Sequence, residues 1–387
     1  YDRKNLKIPQ NQEELLAEIA ETVGKDHIAA ISFGGAPMDF SFEKNVGAIL
    51  HMYLGGQAVG ESVADLISGE VNPSGKLAET IPFSEKDTPA WRYFAPPNDD
   101  VEYRESIFVG YRYYETFHVP VKYPFGYGLS YTSFSYSELN VPEVYSGGKI
   151  QIRFKIKNIG KVSGAEIAQL YICPIESDVI RSHIELKGFQ KIYLHPGEEK
   201  EVILELDERS FSVYDVEKKA FSMLSGKYQI CIGASVHDLQ LKANMEVVGN
   251  SYFRNERELF PDYFREQPHG MEISAEQFYQ LLGGEPKHDK EKKRGEYTVY
   301  DSYQDVVNVS MFGKIVRGVV HIGLKIILRG KSERDPAFKM VKMGVEEGNL
   351  EGLIATSGGI VTPKLIDMLV YNANKKYLQA LKRLLKK

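Results

Sequence analysis

A regular alternation of apolar and polar residues begins after Lys149 and constrains the fold more than any other feature of the sequence. Every second residue from Ile150 to Ile156 is apolar, and the residues between them are Gln, Arg or Lys. A period of two predicts a β-strand with one buried face. Six further strand-like runs follow, separated by turn sequences: Ile167–Ile172, Ile184–Tyr193, Val202–Leu206, Phe211–Tyr214, Tyr228–Gly233 and Leu239–Val247.

Seven short strands over about 100 residues predict an antiparallel β-sandwich domain at residues 138–249. The alternation places one of two sets of side chains in its interior, either Phe154, Leu170, Ile230 and Ile232 or their alternating neighbours. A helix at Lys149–Lys157 would contradict this interpretation.

The first 90 residues instead have the pattern of an α/β unit. Gln10–Val23 and Gln57–Ser68 each carry apolar residues on one side, as amphipathic helices do, and Gly69 follows the second. Ile28–Phe33 and Val46–Leu50 are short apolar runs, typical of strands buried on both faces of a parallel sheet. We therefore predict an α/β domain at residues 1–90.

Residues 91–137 form an aromatic-rich connection between the two domains. Residues 91–136 contain 15 of the 44 aromatic residues in the chain. Tyr111, Tyr123 and Tyr127 are candidates for stacking against a sugar, although core packing of the connection is the favoured explanation of these tyrosines. Glu102 and Glu105 are the most suggestive carboxylate pair, although an ion pair with a neighbouring arginine is the simpler explanation.

Residues 250–387 are predicted to be a linker followed by a small helical region. Residues 285–296 are highly charged and are expected to be exposed and readily cleaved by proteases. Met311–Arg329 is predicted to be a helix whose cations lie opposite an apolar stripe, and we expect that stripe to be buried by the other tail helices. The cations are Arg317, His321, Lys325 and Arg329, and the stripe is Ile315, Val319, Ile322 and Ile326. A membrane-surface or partner-binding appendage is the alternative, and it is the less favoured one.

Composition and motif spacing argue against several classes of ligand. The first 250 residues carry 25 Lys and Arg against 35 Asp and Glu, so nucleic acid is not an expected partner. No GxGxxG or GxxxxGK[ST] spacing occurs, and two cysteines, Cys173 and Cys231, cannot form a disulfide framework or a metal cage. We expect no metal and no organic cofactor, and a reducing, cytoplasmic setting without membrane association.

Four sequence segments resemble glycoside hydrolase family 3, and specifically the C-terminal half of its β-glucosidase-type members from clostridium-like bacteria. They are GGQAVGESVADLISGEVNPSGKLAETIPF, YRESIFVGYRYYETF, PFGYGLSYTSF and LKGFQKIYLHPGE. The resemblance implies a truncated α/β sandwich and a fibronectin type III-like β-sandwich, and helical tails are found in similar proteins. It also implies a retaining exo-β-glycosidase that cleaves terminal β-linked sugars from a β-glucoside or oligosaccharide.

In that family the nucleophilic Asp lies on a (β/α)8 barrel, and the acid/base Glu falls just before an aromatic-Asp-Arg sequence, here Tyr1-Asp2-Arg3. The resemblance therefore assigns no catalytic residue to this chain. It implies that Asp2 and Arg3 orient the loop that bears the acid/base group, and an ordinary ion pair explains them equally well. We expect Tyr1 to be an internal cut, the chain alone to be inactive and a barrel domain or chain to be its partner. A non-enzymatic module that docks on another chain is the alternative.

Overall fold

The computed structural model describes residues 5–94, 101–249, 255–286, 292–327, 335–346, 348–357, 359 and 361–385. Contacts divide the chain into two compact units, one formed by residues 5–286 and the other by the chain from residue 287 onward. Among the described residues, no helix has both the length and the apolar character needed to cross a membrane.

The first unit begins with the predicted α/β portion. Its elements are α1 (Gln10–Val23), β1 (Ala29–Ser32), β2 (Ala48–His51) and α2 (Val59–Ser68). The two strands pair in parallel, which confirms the predicted sheet type. Gly69 has a left-handed conformation with φ of 82° at the end of α2, which explains why glycine follows that helix.

The sheet of this α/β portion leaves apolar surface uncovered, as a truncated α/β sandwich is expected to do. Its apolar runs are typical of strands that are buried on both faces of a complete sheet, yet β1 and β2 contain no fully buried residue. The helices α1 and α2 contain none either, and Leu15, Phe33 and Ile67 are exposed. The physical reason is the small number of layers, because two strands and two helices cannot cover each other's apolar faces.

The aromatic connection packs against residues 255–286, which the sequence interpretation had grouped with the tail. The elements here are β3 (Ile81–Pro82), α3 (Tyr111–Thr116), β4 (Val121–Tyr123), α4 (Glu256–Leu259) and α5 (Ala275–Leu282). Tyr113 is fully buried, and its hydroxyl donates to the Gln267 carbonyl at 2.7 Å and accepts from the Gly270 amide at 3.0 Å. These bonds join two segments more than 150 residues apart in sequence into one core.

The predicted β-sandwich follows. Its strands are β5 (Phe134–Asn140), β6 (Val144–Tyr145), β7 (Ile150–Asn158), β8 (Gly164–Pro174), β9 (Glu185–Leu194), β10 (Glu199–Leu206), β11 (Ser212–Asp215), β12 (Ala220–Met223), β13 (Gly226–Gly233) and β14 (Leu239–Val247). A three-stranded sheet of order β10-β7-β5 faces a core shared with a five-stranded sheet of order β6-β14-β13-β8-β9. The pairing is antiparallel except between β6 and β14, which corrects the purely antiparallel expectation.

The structure selects the first of the two sets that the alternation allows, because all four of its side chains are buried: Phe154, Leu170, Ile230 and Ile232. Two features differ from the prediction. The predicted strand Phe211–Tyr214 contributes to a separate β11-β12 hairpin, and a further strand begins as early as Phe134.

The second unit is a bundle of short helices. They are α6 (Tyr303–Asn308), α7 (Met311–Ile327), α8 (Pro336–Glu346), α9 (Leu350–Thr356), α10 (Pro363–Ala373) and α11 (Tyr377–Leu385). Thr362 caps α10 by accepting a bond from the Leu365 amide at 3.3 Å, as the Thr-Pro sequence predicts. The helices surround a core that includes Val306, Leu350 and Leu369.

The structure contradicts the predicted orientation of α7. The stripe that was expected to be buried, from Ile315 to Ile326, is exposed, whereas Val316 and Leu324 are buried. The helix is apolar over more than half of its circumference, so its periodicity allows either face to meet the core. Arg329 and residues 287–291 of the charged linker lie outside the described residues. The described residues of that linker, 285–286 and 292–296, are exposed as predicted except for the partly buried Pro286.

Candidate functional site

Polar side chains meet at the carboxyl ends of the parallel strands β1 and β2. Ser32 ends β1 and His51 ends β2, and the parallel register places them opposite each other. The Ser32 Oγ and His51 Nδ1 atoms lie 2.9 Å apart. Burial lowers the pKa of His51, so its imidazole is neutral at neutral pH, and its Nε2 atom has no hydrogen-bond partner among the described residues. When Ser32 donates to Nδ1, this Nε2 carries the proton and is a donor.

Tyr53 extends this cluster beyond the end of β2. Its ring lies 4.2 Å from the His51 ring between centroids. Its backbone has a positive φ of 50°, a left-handed conformation that turns the chain sharply after the strand. Burial and the neighbouring Glu79 carboxylate raise the pKa of Tyr53 to about 12, so the phenol stays protonated and remains a hydrogen-bond donor.

Aromatic contacts continue from His51 to the connection. Phe40 meets the His51 ring edge-on at 5.5 Å and the Tyr123 ring edge-on at 5.7 Å. Tyr123 in turn stacks on Tyr127 at 5.5 Å. Two of the three predicted sugar-stacking tyrosines are therefore connected to the strand ends through Phe40, and both are partly exposed.

Glu43 holds Tyr123 in this position. The Tyr123 hydroxyl donates to Glu43 Oε2 at 2.7 Å, and Lys122 forms an ion pair with the same carboxylate. Partial burial opposes ionisation of Glu43, but the bonds from Lys122 and Tyr123 outweigh it and lower the pKa of Glu43. The carboxylate therefore stays charged and fixes the orientation of the Tyr123 ring.

The remaining predicted residues lie elsewhere. Tyr111 is buried, stacks on Phe125 at 4.6 Å and accepts a bond from the Leu186 amide at 2.9 Å, so its ring serves core packing. Asp2 and Arg3 lie outside the described residues, and their suggested role stays a prediction.

The Glu102 and Glu105 pair is divided between two environments. Glu102 accepts a bond of 2.6 Å from Arg104 Nε and another of 2.7 Å from the Tyr279 hydroxyl. Glu105 is buried, and desolvation raises its pKa. The Glu102–Arg104 contact is the ion pair that the simpler explanation anticipated.

The Asn72-Pro73-Ser74-Gly75 turn is a structural joint. Asn72 Oδ1 accepts bonds from Ser130 Oγ at 3.0 Å and from the Tyr131 amide at 2.8 Å, and Asn72 Nδ2 donates to the Ser163 carbonyl at 3.0 Å. Its polar groups therefore connect the α/β portion to the sandwich, and a substrate is not needed to explain them.

Sequence reasoning missed Ser32, His51 and Tyr53. The available signal was their position directly at or after two predicted parallel strands, since ligands bind at the carboxyl ends of such strands. In the parts of the chain that the structure describes, no group of three His, Cys, Asp or Glu residues is arranged to hold a metal ion.

Comparison with known proteins agrees with this architecture. Residues 1–131 match the glycosyl hydrolase family 3 C-terminal domain, and residues 166–236 match the fibronectin type III-like domain. The thermostable beta-glucosidase B of Acetivibrio thermocellus is 43% identical over 249 residues, which are 64% of this chain and 33% of that protein. An exo-alpha-(1->6)-L-arabinopyranosidase of Bifidobacterium breve is 36% identical over 65% of this chain and 33% of that protein.

A solved structure supports the same relationship. The GH3 beta-glucosidase of Bifidobacterium adolescentis superimposes with a TM-score of 0.61 at 36% identity, over 65% of this chain and 37% of that one. The fold and these matches define an α/β domain followed by a β-sandwich, an arrangement that the chain shares with the matched part of a GH3 beta-glucosidase. Residues 1–131 are therefore assigned to the glycosyl hydrolase family 3 C-terminal domain, and a fibronectin type III-like domain follows it. It spans about a third of the length of the curated relatives that it matches.

Proposed function

We propose that this chain supplies the C-terminal half of a retaining exo-β-glycosidase of the β-glucosidase type, and that it forms one wall of the sugar site. The observation that carries the proposal is the cluster of Ser32, His51 and Tyr53 at the carboxyl ends of an open parallel sheet in a family 3 domain. Neutral hydroxyl and imidazole donors, connected through Phe40 to the partly exposed Tyr123 and Tyr127 rings, suit a polyhydroxylated ligand, which needs hydrogen bonds and an apolar platform.

The catalytic carboxylates come from outside the described residues in this proposal. A retaining mechanism needs a nucleophile and an acid/base group roughly 5 Å apart. Glu102 is engaged by Arg104 and Tyr279, whereas Glu105 is buried beside Tyr263, so neither carboxylate lines the strand-end cluster. A (β/α)8 barrel partner supplies the nucleophile and covers the exposed apolar residues of the α/β portion, which are otherwise costly to leave in water.

A chimera tests this function. The barrel-bearing N-terminal part of Acetivibrio thermocellus beta-glucosidase B is joined ahead of Tyr1, and hydrolysis of an aryl β-glucoside is measured for the chimera and for this chain alone. We expect turnover by the chimera and only background from the chain. An aryl α-L-arabinopyranoside is measured in parallel, since one relative bears that activity in its name.

Two results would overturn the proposal. Hydrolysis by the purified chain alone that is lost on Glu102→Gln or Glu105→Gln would place the catalytic carboxylates here. A folded chimera in which the barrel packs against this chain, but which hydrolyses neither substrate, would favour the non-enzymatic docking module.

We also propose a bacterial cytoplasmic location. The thiols of Cys173 and Cys231 are both free and buried, with their sulfur atoms 3.8 Å apart on neighbouring strands. Such a pair is suited to a reducing compartment. Fractionation of the source cells, with detection of the chain in the periplasmic or secreted fraction, would contradict this location.

A further inference from the structure

The helix α7 exposes a continuous line of large apolar side chains. Met311, Ile315, Val319, Ile322 and Ile326 are between 59% and 79% exposed. At 100° per residue, these five positions fall within an arc of about 80° and extend over roughly 22 Å of the helix. Exposed apolar residues are normally scattered singly, and a contiguous line of them marks an interaction surface.

This line is additional to the face that α7 uses for folding. Val316 and Leu324 are buried in the helical unit, and they lie on a different side of the helix from the exposed line. The helix is therefore already anchored, and the apolar line remains available for a second contact.

The ionisable side chains beside the line are all basic. Lys314, Arg317 and His321 are exposed along one edge of it, and α7 contains no Asp or Glu. The surrounding region is basic as well, because residues 292–387 carry 18 Lys and Arg against 9 Asp and Glu.

The helix α11 repeats the combination. Leu378, Leu381 and Leu385 are exposed on it, it contains Lys382 and Arg383, and it has no acidic residue. In two helices of one unit, exposed apolar side chains are thus accompanied by basic side chains.

We propose that the apolar line of α7, with its basic edge, docks on an anionic membrane surface, with the helix lying in the plane of the interface. Helices that bind in this way bury an apolar face at the boundary between headgroups and acyl chains, and they place Lys and Arg among anionic lipids. The sequence interpretation disfavoured a membrane contact because it expected this stripe to be buried, and the structure removes that reason. The proposal does not depend on the glycosidase function, since the two rest on different units of the chain.

Vesicle co-sedimentation of the full chain tests the proposal. We expect binding to vesicles of phosphatidylcholine with phosphatidylglycerol and weak binding to phosphatidylcholine alone, with the difference reduced by high salt. The double variant Ile315→Gln/Ile322→Gln removes two apolar anchors and should weaken binding at least about tenfold, whereas Lys314→Gln should weaken it only at low salt. The matched control is Ile159→Gln on the sandwich, because Ile159 and Ile322 are both 60% exposed and only Ile322 belongs to the line.

Other occupants of the line give distinct results. A concentration-dependent dimer in sedimentation without vesicles, lost in the double variant, would assign the line to a second copy and overturn the proposal. Slow thiol labelling of Ile322→Cys in the lipid-free full chain would show that another part of the chain covers it, and would overturn it too. The buried native cysteines give this labelling a low background. Circular dichroism verifies that each variant is folded, and equal binding of the folded double variant and the control would also refute the proposal.

Discussion

The buried ion pair between Lys76 and Glu166 gives the sharpest test of how the α/β portion is joined to the sandwich. Lys76 Nζ lies 2.9 Å from Glu166 Oε1, and the side chains are only 11% and 8% exposed. Lys76 also donates to the Gly128 carbonyl at 3.0 Å. Burial raises the pKa of Glu166, and the attraction of Lys76 opposes that shift without cancelling it.

The variant Lys76→Met keeps the length of the side chain and removes its charge, which leaves Glu166 buried without its counter-ion. Breaking a buried pair in this way costs about 3–5 kcal/mol. For a unit of this size, the loss corresponds to a thermal midpoint lower by about 6–20 °C at neutral pH. The matched control is Lys149→Met, whose pair with Glu205 is 72% and 50% exposed and should contribute nothing measurable.

The pH dependence of the deficit provides the second half of the test. A carboxyl group whose pKa is raised by folding destabilises the fold when it is ionised. This loss of stability is complete once the pH has risen through the pKa of the folded state, and it is absent below the pKa of the unfolded state. Loss of Lys76 raises the pKa of Glu166 further, so the stability lost in Lys76→Met should become smaller as the pH falls. The double variant Lys76→Met/Glu166→Gln should recover part of the lost stability at neutral pH. A midpoint for Lys76→Met equal to that of Lys149→Met, or a deficit independent of pH, would refute the reasoning.

Two further predictions concern the sandwich core and the hydrogen bond between Tyr123 and Glu43. Phe154→Ala should lower the free energy of unfolding by about 3–5 kcal/mol because Phe154 is 1% exposed. In denaturant titrations Phe189→Ala should change it little, since Phe189 is 65% exposed; similar losses for the two would contradict the assigned interior. Tyr123→Phe removes a bond that holds the pKa of Glu43 below its usual value of 4.5. This bond stabilises the fold when the pH is above the pKa that Glu43 has in the unfolded chain. The stabilisation is lost as the pH falls through the pKa that Glu43 has in the folded chain. Thermal midpoints should therefore differ at neutral pH and converge in acid, and a difference that persists in acid would argue against this role.

The β-sandwich was the most predictable part of the chain. In β7 and β10 the side chains alternate between the core and solvent, so the sequence pattern is the burial pattern. The early strand β5 was missed because Glu138 adopts a positive φ of 54°, where the register with β7 shifts. A bulge of this kind breaks the period of two on which the prediction depends.

The candidate site was harder to predict because it depends on contacts between distant residues. Ser32 and His51 are ordinary residues in the sequence, and only the parallel register brings them together. Tyr111 and Tyr123 look alike in sequence, yet Tyr111 is buried in the core and Tyr123 is partly exposed and contacts Phe40. Periodicity likewise could not select the face of α7 that meets the core, because both faces are apolar.

The distribution of buried residues within the first unit also predicts which part of it a barrel would stabilise in the chimera. The sandwich has its own core, in which residues of both sheets such as Phe154 and Ile230 are buried from water. The α/β portion instead buries Phe40, Phe42 and Ile81 in a smaller core, and no residue of α1 or α2 is fully buried. The strand ends that carry Ser32 and His51 therefore belong to the least protected part of the unit, where local opening costs little free energy. A barrel that covers α1 and α2 would rigidify those strand ends, so in the chimera the exchange of the His51 amide should slow while that of the Phe154 amide stays unchanged.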